Sequence, residues 1–389
     1  MGGRSYRVAV LPGDGTGPDL VAQAVRVLHA VAERFGFTVS CQEGLIGLAA
    51  LVARGRTLPA ETTRMCREAQ AVLVGPIAGA RHAQTAPSGR PRQALITLRD
   101  MLGTFATVRP IRSYPALRGC AAPDTVAHPI DMVVVHDHTS GLFYGRPRGI
   151  RRQDDEEIAT NTMVYTTGEI ARVARLACEV AAARGRRVLL VDQAKHLDVG
   201  ELWARTVARV GAEHPDVTVG RRDASHFFYE LVNRPEAYDV VVTEMSLGHL
   251  VCATAAGLTG AFALHPEASV GGTVGLFQAS HGSAPHLVGQ HRANPLGLIR
   301  AVALMLAWTW QEHEAAAAIE AAVAAVFAEG HRPAELAPPG TPALTTEAMG
   351  EAVIAHLPAP AVRLALDTAQ PPAMLEGTVQ RHGGPTDAS

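Results

Sequence analysis

The sequence predicts an α/β protein with mainly parallel strands. Three observations lead there. Short apolar runs of strand length recur along the chain, and segments with helical apolar spacing separate them. The first such run passes through a glycine-rich turn directly into a helix. Residues 6–11, Tyr-Arg-Val-Ala-Val-Leu, form the opening strand and end at Pro12-Gly13-Asp14-Gly15-Thr16-Gly17-Pro18. Leu20, Val21, Val25, Leu28 and Val31 then recur at helical spacing. Further strands are expected at 71–75, 132–135, 188–191, 217–220 and 239–243, with helices at 169–183 and 202–213. Residues 300–329 are alanine-rich and strongly helical. From 358 to 389 the composition turns to proline, glycine and small polar residues, as in a flexible tail, with a short helical piece at 361–368. No internal repeat is visible. The glycine-rich turn admits two readings: a phosphate cradle, or a tight turn that needs positive φ.

Composition narrows the function. The chain has 389 residues, 47% of them apolar and 19% charged, with a formal net charge of −2. That length supplies roughly two or three domains' worth of core. A near-neutral balance argues against a nucleic-acid footprint. No apolar run reaches ~18 residues, so no membrane span is expected, and no secretory signal is read at the start. Cys41, Cys66, Cys120, Cys178 and Cys252 lack paired spacing and read as reduced thiols, so a cytoplasmic location is expected. One of the 35 basic residues is lysine, Lys195, and the rest are arginine.

Five segments, in order, resemble the β-decarboxylating dehydrogenase family of isocitrate and 3-isopropylmalate dehydrogenases. They are Leu11-Pro12-Gly13-Asp14-Gly15-Thr16-Gly17-Pro18; Leu98-Arg99 with Val108-Arg109-Pro110; Thr139-Ser140-Gly141-Leu142-Phe143-Tyr144-Gly145-Arg146-Pro147-Arg148-Gly149; Val191-Asp192-Gln193-Ala194-Lys195; and His281-Gly282-Ser283-Ala284-Pro285 with Ala293-Asn294-Pro295. The resemblance runs from about residue 6 to 357. It implies a two-domain fold with mixed sheets flanked by helices. The larger, nucleotide-side domain would comprise 1–105 plus 258–357, and the smaller one 106–257. It also implies a homodimer with shared active sites, joined by a clasp near 146–166. The family's reaction oxidises a 2-hydroxy acid with NAD(P) and removes the β-carboxylate. A divalent metal assists, and a tyrosine and a lysine handle protons.

Carried over position by position, the resemblance breaks at the chemistry. Arg99 and Arg109 match two of three substrate-binding arginines, and the third position holds His136. Arginine offers a fixed bidentate fork, whereas histidine offers one donor per edge and titrates near neutrality. The tyrosine position is Phe143, with Tyr144 beside it on the opposite side of an extended segment. The lysine position is Gln193, and Lys195 stands two residues on, where the family has asparagine. Two readings of Lys195 stay open: a displaced cleft ammonium, or a solvated surface lysine. Of three metal-binding aspartates, Asp223 matches the one lent by the neighbouring subunit. The other two positions, one helical turn apart, are His249 and Ala253. Mg²⁺ and Mn²⁺ want carboxylate oxygens, so no metal site is expected. In the adenosine loop, His281, Gly282, Ser283, Ala284 and Asn294 match. His286 stands where an acidic residue usually selects NAD, and Gln278 where glutamate is common. NAD(P) therefore stays open, with no cofactor firmly expected.

The sequence thus keeps two anion-binding arginines, one aspartate and part of a nucleotide loop. It adds imidazoles at His136, His249 and His286, with His138 nearby on the opposite face. The leading expectation is an enzyme rebuilt for metal-independent, non-oxidative acid–base chemistry on a polar or anionic small molecule: cyclisation, isomerisation, elimination or decarboxylation. Lys195, His249, His136, Asp223 and Tyr144 are the candidate catalytic residues. Arg99, Arg109, His136, Phe143 and Gln193 are the candidate substrate contacts. An NAD(P)-dependent oxidative decarboxylase and a non-catalytic subunit of a hetero-oligomer are the alternatives.

Overall fold

The computed structural model describes residues 4–77, 91–118 and 129–359. The helical piece expected at 361–368, nearly all of the tail, and Cys120 lie outside the described residues.

The chain opens with β1 (Ser5–Leu11), α1 (Gly17–Phe35) and β2 (Thr38–Glu43). It continues through α2 (Gly47–Arg54), α3 (Ala60–Glu68), β3 (Ala71–Val74) and α4 (Pro91–Met101). The strands β4 (Ala106–Arg112) and β5 (Asp131–Asp137) come next, then the hairpin β6 (Gly149–Gln153) and β7 (Glu156–Thr160). The helix α5 (Thr167–Ala182) leads to β8 (Arg187–Asp192), α6 (Asp198–Ala212), β9 (Thr218–Asp223), α7 (Ala224–Asn233), β10 (Val240–Thr243) and α8 (Met245–Thr259). The chain closes with β11 (Pro266–Val270), β12 (Gly275–Ala279), α9 (Leu296–Trp310), α10 (His313–Ala328) and α11 (Thr346–Ala355).

Ten strands form one sheet in the order β2-β1-β3-β12-β11-β4-β5-β10-β8-β9. Both flanks are parallel, as the strand–helix alternation predicts. The middle is antiparallel: β11 against β12, β11 against β4, and β4 against β5. The sheet is therefore mixed. The hairpin β6–β7 makes a separate two-stranded ribbon.

Alternation along each strand sorts the core. Val8, Val10, Leu73, Ala106, Val108, Val133, Val135, Ala268 and Phe277 pack on one face with residues of α1, α5, α9 and α10. The odd-numbered neighbours of β4 and even-numbered ones of β5 point the other way. Ile111, Met132 and Val134 pack there with α7 and α8 residues, while Ala9, Leu11, Val72 and Leu98 form a second cluster on that face. The cleft described below lies between these two clusters.

Local chemistry sets the element ends. Thr166 and Glu169 form a reciprocal capping box on α5. The helical stretch expected at 300–329 is two helices. Gln311 turns left-handed at φ +56 and ends α9, and α10 restarts at His313. The glycine-rich turn is explained by close packing. Gly13 and Gly15 have positive φ, and a Cβ at Gly15 would lie 2.2 Å from the Ser283 carbonyl oxygen. Asp14 caps α2, accepting from Leu48 N at 3.0 Å and Ala49 N at 2.8 Å. Among the described residues, no helix is long and apolar enough to cross a membrane.

Candidate active site

The site begins with strand register. On β12, β11 and β4, Gln278 sits opposite Glu267, and Ala268 opposite Val108. One step further in the same register brings Glu267 beside Arg109. Side chains at these positions share a face. Arg99 approaches from α4 and donates from Nε to Ser269 Oγ at 3.0 Å.

The result is a closed ion cluster. Arg99 Nη2 pairs with Glu267 Oε1, and Arg109 Nη2 with Glu267 Oε2. Gln278 donates to Oε1 at 3.0 Å. The Glu267 side chain is 1% exposed. Burial acts to raise its carboxyl, but the guanidiniums of Arg109 and Arg99 outweigh burial and hold it down at about 2. The two arginines expected to hold substrate carboxylates thus already share a carboxylate of the protein. Glu267 belongs to none of the five motif segments, so nothing in them marks it as a site residue.

His136 follows on β5, fully buried, with Thr107 opposite it on β4. Its Nδ1 lies 2.7 Å from the Asp137 carbonyl oxygen. A carbonyl only accepts, so Nδ1 carries the proton. Nε2 is buried with no hydrogen-bond partner among the described residues. Burial, then the charges of Arg109 and His249, hold His136 well below the ordinary imidazole range. It is a neutral imidazole with a lone pair at Nε2. The His249 ring lies 5.1 Å from it and 6.1 Å from the Phe143 ring, centroid to centroid. Gly248 permits this approach of α8, because a Cβ there would stand 2.5 Å from His136 Cβ and Cγ.

His138, expected on the face opposite His136, instead points to the same side, since its Nδ1 meets Thr107, the residue opposite His136. Thr104 and Thr107 hydroxyls hold its two ring nitrogens at 3.1 and 2.8 Å. Burial, then the charge of Arg99, hold it well below the usual range.

Arg99, Arg109, Glu267, Gln278, Phe143 and His249 border a cleft of about 920 Å³, and His136 and His138 lie buried outside its lining. Arg99, Arg109, Glu267 and His249 line its floor, Phe143, Tyr144, Arg146 and Arg148 line one wall, and His281 and Gly282 the nucleotide-loop end. His281 shows a buried Nε2 without a hydrogen-bond partner among the described residues, and burial lowers its titration. Ser283 serves packing, its carbonyl accepting from Thr16 N at 3.0 Å. Ala284 adopts φ +38, and His286 is exposed in the short turn that follows. Asn294 is committed at both ends: its amide donates to Glu335 at 2.7 Å, and its oxygen accepts from Leu296 N at 3.0 Å.

Three expected site residues lie away from this cleft within one chain. Lys195 and Asp223 face each other at 3.9 Å, and Gln193 is exposed nearby, past the end of β8. None of them lines the cleft. Lys195 is 69% exposed.

The donor set does not fit a divalent metal. His249 and Ala253 occupy α8 where the resemblance places two aspartates, and Asp223 is paired with Lys195. No group of three or more histidine, cysteine or acidic side chains is placed to hold an ion, among the described residues. The nucleotide-loop end fits a polar ligand through His281 Nε2, but Asn294 does not offer its amide.

A mixed sheet with an antiparallel centre and a cleft floored by an arginine pair places this chain in the class of β-decarboxylating dehydrogenase folds. Residues 7–353 match the family described as isocitrate/isopropylmalate dehydrogenase. A 3-isopropylmalate dehydrogenase of Moorella thermoacetica is 41% identical over 351 residues, covering 90% of this chain and 98% of that protein. One from a Synechococcus strain is 39% identical over 358 residues, covering 91% and 96%. Among solved structures, an isocitrate dehydrogenase from Methylococcus capsulatus superimposes with a TM-score of 0.79 at 30% identity, covering 90% of this chain and 99% of that one. A β-decarboxylating dehydrogenase from Thermococcus kodakarensis gives 0.74 at 27% identity, covering 90% and 96%. The chain belongs to the isocitrate/isopropylmalate dehydrogenase family.

Proposed function

We propose that this family member is an enzyme rebuilt for metal-independent, non-oxidative proton transfer on a small polar or anionic molecule. The observation that carries the reading is the His136–His249 pair. His136 is pinned through Nδ1–H, so Nε2 holds a lone pair beside His249, which lines the cleft. A neutral buried base next to a second imidazole suits proton abstraction and return. Cyclisation, isomerisation, elimination and decarboxylation all use such a pair. The poor fit of the donor set to a hard cation supports the same reading. Tyr144 and Phe143 form the wall against which a substrate would lie.

The proposal includes a homodimer. The exposed ribbon β6–β7 is the proposed clasp, and Lys195, Asp223 and Gln193 would then serve the partner's cleft. The proposed division is 1–105 plus 258–357 against 106–257, and the proposed location is the cytoplasm. The assay is nicotinamide absorbance with NAD or NADP, Mg²⁺ and a panel of malate-type 2-hydroxy acids. No reduction is expected. Mg²⁺-dependent reduction would overturn the proposal.

A second reading has its own support: an NAD(P)-dependent oxidative decarboxylase of a 2-hydroxy acid. Relatives of about 40% identity carry the name 3-isopropylmalate dehydrogenase, and His281 offers a buried Nε2 at the nucleotide-loop end. The same assay, joined to calorimetry with the dinucleotide, decides between the two.

A further inference from the structure

We propose that Glu267 sets the substrate class of the cleft. By taking Nη2 of both guanidiniums and setting a carboxylate between them, it closes the Arg99–Arg109 pair to a dicarboxylate. A neutral or singly anionic polar molecule fits what remains, its anionic group read by Arg146 and Arg148 at the rim. The inference rests on the reading of this cleft as the reaction site, and it names the ligand class that site takes.

Geometry carries it. An arginine pair receives a carboxylate ligand when its N–H edges face open space. Here one edge of each guanidinium ends on a different oxygen of the same internal carboxylate. Gln278 adds a third hydrogen bond to Oε1, and Ser269 fixes Arg99 through Nε. Glu267 sits on the middle of three strands, with Gln278 and Arg109 as its flanking neighbours, and its side chain is buried. It is thus held in place by partners on both sides and by Gln278, rather than by a contact at the surface.

Charge points the same way. Glu267 is the one acidic side chain lining the cleft among the described residues. A second or third carboxylate brought to the floor would meet it at short range in a poorly solvated place. Besides the one floor charge that Glu267 leaves unmatched, the cleft carries the charges of Arg146 and Arg148, which are exposed at the wall beside Phe143. Arg148 is held there by a bond to the Phe143 carbonyl. With one carboxylate against two guanidiniums the floor keeps a single net positive charge, and the rim adds two more.

The test is calorimetry with malonate, without dinucleotide or metal, on the wild type and on Glu267→Ala. Removal of the carboxylate frees Nη2 of both guanidiniums and leaves a space of carboxylate size between them. The variant should bind malonate ~10- to 100-fold more tightly than the wild type, the range set by charge-assisted hydrogen bonds. Formate should raise the melting temperature of Glu267→Ala and leave that of the wild type unchanged. Equal malonate affinity in the two proteins would overturn the proposal. Should the variant not fold, the wild type decides alone. Wild-type malonate binding tighter than ~1 mM overturns the assignment; acetate binding at the rim, lost in Arg146→Met/Arg148→Met, together with no malonate binding, supports it. These outcomes are independent of the reaction type. Mg²⁺-dependent reduction of a nicotinamide would sink the metal-free reading, whereas malonate binding without either cofactor speaks to Glu267.

Discussion

Replacement of Glu267 by glutamine should destabilise the fold in a way that depends on pH. The carboxyl titrates at about 2 against an ordinary 4.5, and each pH unit of that gap is worth about 1.4 kcal/mol. The ionised carboxylate therefore contributes about 3 kcal/mol at neutral pH. A depressed acid contributes fully above its unfolded value and loses the contribution as pH falls from 4.5 towards 2. Glutamine keeps the volume but leaves two buried guanidiniums without a counter-charge, which costs about 3–5 kcal/mol. Urea unfolding of wild type and Glu267→Gln, at steps from pH 7 to pH 3, measures the gap. It should be widest at pH 7 and narrow below pH 4.5. A gap that is absent, or flat across the range, would refute the reasoning. The triple variant Arg99→Met/Arg109→Met/Glu267→Met supplies the control. With no buried charge left, it should regain most of the lost stability.

Three further outcomes follow from the site. Gly248→Ala places a methyl group within 2.5 Å of the His136 ring; it should cost about 1–3 kcal/mol in urea unfolding and raise the His136 titration followed by NMR, as α8 moves off and water enters. Lys195→Ala should leave the urea midpoint within about 0.5 kcal/mol, because an exposed pair at 3.9 Å is worth little. The same variant should abolish turnover if Lys195 reaches a partner's cleft, and unchanged turnover would remove it from the machinery. His249→Asp/Ala253→Asp sets two carboxylates one turn apart on α8 and should gain Mn²⁺ binding by calorimetry; no gain would mean that the cleft lacks more than those two ligands.

The fold was legible in the sequence where the signal is local. β1, β3, β5, β8 and β10 lie on apolar runs, and α1 shows its stripe directly, whereas β9 runs on from the expected 217–220 into Arg221-Arg222-Asp223. The antiparallel centre was not legible. β4 and β11 each contain a proline, and β12 is a five-residue run without alternation between apolar and polar positions. Their pairing is long-range, so no window of sequence records it. The break between α9 and α10 was hidden by alanine-rich flanks, since Gln311 has no special backbone preference to announce a left-handed turn.

The site was legible as positions and illegible as charge. Motif spacing located Arg99, Arg109, His136 and His249; the structure brings Arg99, Arg109 and His249 to one cleft and buries His136 against His249. Whether those arginines are vacant depends on a residue more than 150 positions away, placed beside them by the β4–β11 register. Glu267 left one local trace: a lone acid in the run Pro-Glu-Ala-Ser-Val, where every residue is buried. An acid in such a run needs a counter-charge, because burial alone would push it to the neutral form. The cations able to supply that charge are the ones the motif had assigned to substrate. A motif therefore transfers the place of a side chain, and the neighbouring strand decides its charge state. At this cleft, that neighbour puts an internal carboxylate between two guanidiniums that the motif offers to a substrate, and halves their net charge.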